Sequence, residues 1–161
     1  MPALSFSEAL AAAVRIEENG AAFYEEAAQQ SFDPSTADVF SKLAALEKEH
    51  LKYFAGLAAM AGAREDHFET DPKNEFTAAI SALADRSVFD LGAGAAGLLN
   101  GRETGGQVVR LAISLEKDSI VFYLGLKNAL KDPQEAAKLD EIIKEEMRHI
   151  TILHELLKKQ N

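Results

Sequence analysis

A single offset of 99 residues lays the second half of this 161-residue chain on the first without a gap. It takes Glu17 to Glu116, Phe23 to Phe122, Tyr24 to Tyr123, and Asp33-Pro34 to Asp132-Pro133. It also takes Glu47 and His50 to Glu146 and His149. Thirty residues separate Glu17 from Glu47, and the same thirty separate Glu116 from Glu146. Self-similarity at fixed register is the mark of a duplicated supersecondary unit. Whatever one half folds into, the other half is expected to fold into as well, and the two must bury complementary faces.

The unit reads as a helical hairpin. Ser5 or Ser7 can cap a first helix, with Glu8 completing a capping-box pattern after Ser5. Leu10, Ala13, Glu17, Gly20, Tyr24 and Ala27 then form one seam of helical period. Asp33-Pro34 stops that helix and starts the next, since Asp caps well and Pro is tolerated at the first helical position. Leu43, Glu47, His50, Phe54 and Leu57 share a face of the second helix. In the second half, Val109, Ala112, Glu116, Ser119, Tyr123, Leu126 and Leu130 form one seam, and Leu139, Ile142, Glu146, His149, Leu153 and Leu156 the other. The predicted helices span about 5–31, 34–62, 106–131 and 133–159, within one all-α domain over 1–161. Two such hairpins packed face to face make a four-helix bundle. The glycine-rich stretch 63–105 is then a long crossover, with a short helix predicted over about 74–86. A helix of about 27 residues is about 40 Å long, and about 12 extended residues cover that distance. The crossover therefore has ample length to run from one end of the bundle to the other.

The seams carry charges where a bundle wants apolar residues. Glu47 and His50, three residues apart, are neighbours on one helix face, and so are Glu146 and His149. From Glu17 up to the Asp-Pro break and back down to Glu47 the two legs nearly cancel, with a mismatch of roughly 6 Å at 1.5 Å rise per residue. Glu17, Glu47, Glu116 and Glu146 can thus meet mid-bundle beside His50 and His149. Four buried carboxylates cannot all stay ionised unaided, because desolvation and like charge both oppose it. Two divalent cations cancel the four charges, and oxygen with imidazole donors suits iron, manganese or zinc. One Glu-x-x-His alone is usually a solvated surface pair; two in equal register with two further seam glutamates are a ligand set.

Composition narrows the function classes. A formal charge of −9 leaves no basic stripe for nucleic acid or an anionic membrane surface. The chain has no cysteine, which excludes a disulfide framework, a Cys-ligated zinc and an iron–sulfur cluster. No apolar run reaches the roughly 18 residues of a spanning helix. The start, MPALSFSEALAAAV, lacks a basic n-region, so no signal peptide is expected and the cytoplasm is the expected location.

With IEENGAAFY, LEKDSIVFY, LEKEH and EEMRH in view, the chain resembles ferritin-like di-iron carboxylate proteins, and among them the rubrerythrin group. The resemblance covers roughly 5–62 and 106–159. It implies a ferritin-like bundle in which Glu17 and Glu116 are terminal ligands, Glu47 and Glu146 bridge the metals, and His50 and His149 each take one metal. Tyr24 and Tyr123 sit seven residues after a ligand, and side chains lean toward the helix N-terminus, so each phenol can lean back to the site. The resemblance gives them a supporting hydrogen bond to the ligands. Two departures stand out. The rubredoxin domain of the rubrerythrins needs cysteines, so the resemblance implies electrons from an external, rubredoxin-like protein. The extra carboxylate of that group's peroxidases, three residues after the helix 3 ligand, is replaced by Ser119, with Gly20 the equivalent on helix 1.

The resulting expectation is a di-iron oxidoreductase reacting with O₂ or peroxide, assembled as a homodimer. Manganese or zinc can substitute for iron on donor chemistry alone. An iron-handling ferroxidase and a bundle with redox-silent zinc are the alternatives. Phe23 and Phe122 are expected only to pack. Glu49, Asp118 and Glu145 are expected to be solvated or supporting, and His154 to lie on the surface. Asp66, His67, Glu69 and Asp71 form an acidic cluster in the crossover.

Overall fold

The computed structural model describes residues 6–60 and 98–160. These form four helices: α1 (Phe6–Gln30), α2 (Pro34–Ala59), α3 (Gly105–Ala129) and α4 (Pro133–Gln160). No strand occurs among the described residues. The predicted short helix at 74–86 and the acidic cluster Asp66–Asp71 lie outside the described residues.

Local chemistry fixes the helix ends. Asp33 caps α2: its carboxylate accepts from the Thr36 amide at 2.8 Å and from the Thr36 hydroxyl at 2.6 Å. Pro34, lacking an amide hydrogen, starts the helix where that donor has no partner anyway. Thr104 and Gln107 form a reciprocal capping box at the start of α3. Just before it the chain turns through Gly101, whose φ of +79° a side chain would oppose. The predicted third helix ran to 131; α3 instead ends at Ala129, and Leu130 is extended at ψ 133°. Asp132 precedes a proline and is pushed away from helical geometry, so the last predicted turn unwinds.

Each hairpin packs its own two helices most closely, α1 on α2 and α3 on α4, and the hairpins meet through α1 against α3 and α2 against α4. The core divides into two clusters along the bundle. One joins Leu10, Ala13 and Ile16 of α1 to Phe54 and Leu57 of α2, Tyr123 and Leu126 of α3, and Leu139 and Ile142 of α4. The other joins Phe23 and Ala27 to Phe40 and Leu43, Val109 and Ala112, and Leu153 and Leu156. Read along each helix, these lists make all four neighbouring contacts antiparallel. They also put the end of α2 and the start of α3 at opposite ends of the bundle. Between the two apolar clusters lies the level of Glu17, Glu47, Glu116 and Glu146.

Candidate metal centre

That level is polar and dry. Glu17, Glu47, His50, Glu116, Glu146 and His149 are each no more than 5% exposed. They form two groups, Glu17–Glu47–His50–Glu146 and Glu47–Glu116–Glu146–His149. In each group one donor atom from every residue lies within 4.8 Å of the others. Glu47 and Glu146 belong to both groups, whereas each histidine and each of the remaining glutamates belongs to one. The helices produce this directly. α1 and α3 each supply one glutamate, and α2 and α4 each supply a glutamate and, nearly one turn on, a histidine.

Both imidazoles turn Nδ1 inward. His50 Nδ1 lies 3.1 Å from Glu146, 3.6 Å from Glu17 and 3.9 Å from Glu47. His149 Nδ1 lies 2.9 Å from Glu146, 3.0 Å from Glu47 and 3.3 Å from Glu116. The two rings are stacked with centroids 5.9 Å apart. Tyr24 of α1 donates its hydroxyl to Glu116 of α3, and Tyr123 of α3 donates to Glu17 of α1. Each tyrosine therefore supports the glutamate of the facing helix, not the one seven residues back on its own. Phe23 and Phe122 meet the tyrosine rings edge-on.

The electrostatics are those of clustered, buried carboxylates and imidazoles. Burial pushes the carboxyls of Glu17 and Glu47 upward, and neighbouring carboxylates add to it. Burial raises Glu116 to about 7. For the histidines burial alone would favour the neutral ring, but the surrounding carboxylates win. His50 is pushed up to about 11 and His149 to about 12. Burial and the adjacent carboxylates raise both tyrosine hydroxyls well above their ordinary value, so they remain donors. Even so, one oxygen of Glu17, one of Glu47, both of Glu146 and Nδ1 of both histidines are buried with no hydrogen-bond partner among the described residues. Buried polar atoms are ordinarily satisfied. Inward-facing, unsatisfied oxygen and imidazole donors in two overlapping groups fit two divalent cations sharing Glu47 and Glu146.

The surroundings were only partly foreseeable. Glu145, read as solvated or supporting, holds His50 Nε2 at 2.6 Å and is half-buried. Its sequence signal is the acid doublet Glu145-Glu146. Glu49 is exposed and pairs with Lys52, Asp118 is partly buried, and His154 is exposed. Gly20 lets the α1 backbone approach the site: a Cβ there would sit 3.3 Å from Glu47 Oε2. Beside it is a cavity of about 30 Å³ bounded by Gly20, Tyr24, Glu47, Glu116 and Ser119, room for a water-sized molecule. The Ser119 hydroxyl donates to the Leu115 carbonyl at 3.0 Å.

A four-helix bundle with a buried Glu/His cluster suited to two metal ions defines the ferritin-like class. The ferritin-like domain model matches residues 7–159, and the chain belongs to that family. Among solved structures it is similar to a Thermotoga maritima protein assigned provisionally as a ferritin-like diiron-carboxylate protein. The TM-score is 0.71 at 23% identity, over 100% of this chain and 99% of the other. No curated protein sequence matches the chain. No helix among the described residues is long and apolar enough to cross a membrane.

Proposed function

We propose that the protein is a di-iron carboxylate oxidoreductase. Glu17 and Glu116 would each serve one metal, Glu47 and Glu146 both, and His50 and His149 one each through Nδ1. The observation that carries the reading is the pair of overlapping four-residue groups, whose shared members are the two Glu-x-x-His glutamates. Two irons there supply one-electron redox chemistry toward O₂ or peroxide. The chain's own residues would do the rest. Tyr24 and Tyr123 fix the outer glutamates, the apolar clusters on either side keep bulk water out, and the cavity beside Gly20 has room for a small oxidant. Having no cysteine, the chain would take its electrons from an external protein donor, and we propose that it works as a cytoplasmic homodimer.

Anaerobic Fe(II) loading followed by O₂ or peroxide tests this. The expected result is rapid appearance of ferric absorption, and catalytic peroxide consumption once a reducing protein is supplied. No absorption change, with zinc bound as purified, would overturn it. One observation favours a second reading, iron handling by Fe(II) oxidation. Gly20 and Ser119, which both line the cavity, contribute no further carboxylate, and the Ser119 hydroxyl donates to the Leu115 carbonyl. Oxidation of many more than two irons per chain would select that reading.

A further inference from the structure

The hydrogen-bonding contacts of the ligand residues come in pairs related by the offset of 99, and the outer histidine nitrogens depart from that pattern. Tyr24–Glu116 has its counterpart in Tyr123–Glu17. His50 Nδ1 among Glu17, Glu47 and Glu146 has its counterpart in His149 Nδ1 among Glu116, Glu146 and Glu47. The outer nitrogens differ. His50 Nε2 meets the Glu145 carboxylate at 2.6 Å. His149 Nε2 is buried and has no hydrogen-bond partner among the described residues. The position that matches Glu145 in the first half is Leu46, a hydrocarbon side chain that can accept nothing. The half-buried Glu145 comes from α4 and reaches across to α2, so its effect falls on the histidine of the other hairpin.

We propose that the two metal positions are inequivalent in affinity, and that Glu145 is the positioning residue that makes the His50 position the tight one. This rests on the dinuclear reading above. A carboxylate on the outer nitrogen of a ligand histidine fixes the tautomer, since it requires the proton on Nε2 and leaves Nδ1 with its lone pair toward the metal. It also locks the ring plane and makes the ligand nitrogen more basic. Among the described residues no hydrogen-bond partner constrains His149 in this way. Loss of such a partner typically weakens metal binding about 10–100-fold. The His50 position should therefore fill first and the His149 position second, with the ion at the second exchanging faster.

The test is a titration of the metal-free full-length protein with Co(II), followed by visible absorption and by calorimetry. Wild type should fill in two steps separated by about tenfold or more. Glu145→Gln should weaken the first step by about tenfold while leaving the second nearly unchanged, and Glu145→Asp should restore part of the loss. Leu46→Glu, which places a carboxylate at the matching position, should tighten the second step and draw the two together. Leu46 and Glu145 are 41% and 39% exposed on the helix surface, and helicity by circular dichroism checks that the variants fold. A wild-type titration in one step with two equal sites, or a Glu145→Gln profile superposable on wild type, overturns the inequivalence while leaving the dinuclear site standing. No binding of Co(II) by folded wild type overturns the dinuclear reading itself.

Discussion

Without metal, the site should destabilise the fold, and Glu47→Gln measures by how much. Glu47 is buried beside Glu17 and Glu116, and burial first, then the charge of Glu17, raises its carboxyl well above its ordinary 4.5. Burial and the charge of Glu17 therefore make loss of its proton costlier in the metal-free folded chain than in the unfolded one. A group whose folded pKa is raised contributes fully below its unfolded value and loses that contribution as pH rises. Each pH unit over which the folded chain keeps that proton and the unfolded chain does not costs about 1.4 kcal/mol. Glutamine has the shape of the protonated acid and no such dependence. Glu47→Gln should therefore raise the melting temperature in chelator at pH 7.5. A gain of about 2–4 kcal/mol corresponds to about 4–16 °C for a domain of this size. The gain should shrink toward zero at pH 4.5. With Mn(II) or Co(II) in excess the order should invert, because wild type alone gains the full linkage to two bound ions. The assay is thermal unfolding by circular dichroism from pH 4.5 to 8, with chelator and with metal. A variant less stable than wild type in chelator across that range, or a difference independent of pH, would refute the charge-burial argument.

Two further outcomes follow from the same geometry. Tyr123→Phe keeps the ring stacked on Phe54, with centroids 5.0 Å apart, and removes only the hydrogen bond to Glu17. It should lower metal affinity about 10–100-fold with little loss of helicity, and a calorimetric titration matching wild type would sink the supporting role. Metal loading should release protons, because His50 and His149, pushed up to about 11 and about 12, must bind metal as neutral rings. Apparent affinity should therefore rise with pH between 6 and 8, and about two protons or more should appear per two ions at pH 8; affinity flat across that range would contradict it.

The bundle was legible because Asp-Pro breaks and equal thirty-residue legs are one-dimensional signals that survive without knowing how helices rotate. The same register places Glu17, Glu47, Glu116 and Glu146 at one level, and the structure brings these four together with both histidines. What periodicity could not give was the partner across the bundle. That Tyr24 reaches Glu116 and not Glu17 depends on α1 running antiparallel against α3. Glu145 acts on His50 because α4 is rotated to turn that residue toward α2. Gly20 reads as a gap in a seam, and only the packed distance to Glu47 shows that a side chain there would crowd a carboxylate. The early end of α3 at Ala129 was masked by apolar Leu130, which continues the pattern after the backbone has left the helix.

The central claim is that Glu47 and Glu146 hold two metal ions in common, and elemental analysis tests it most directly. Wild-type protein loaded anaerobically with Fe(II) and desalted should carry two metal ions per chain, as the two overlapping groups require. The double variant Glu47→Ala with Glu146→Ala, confirmed as helical, should lose the pair. Two ions per chain retained in the double variant, or none bound by folded wild type, would contradict the account.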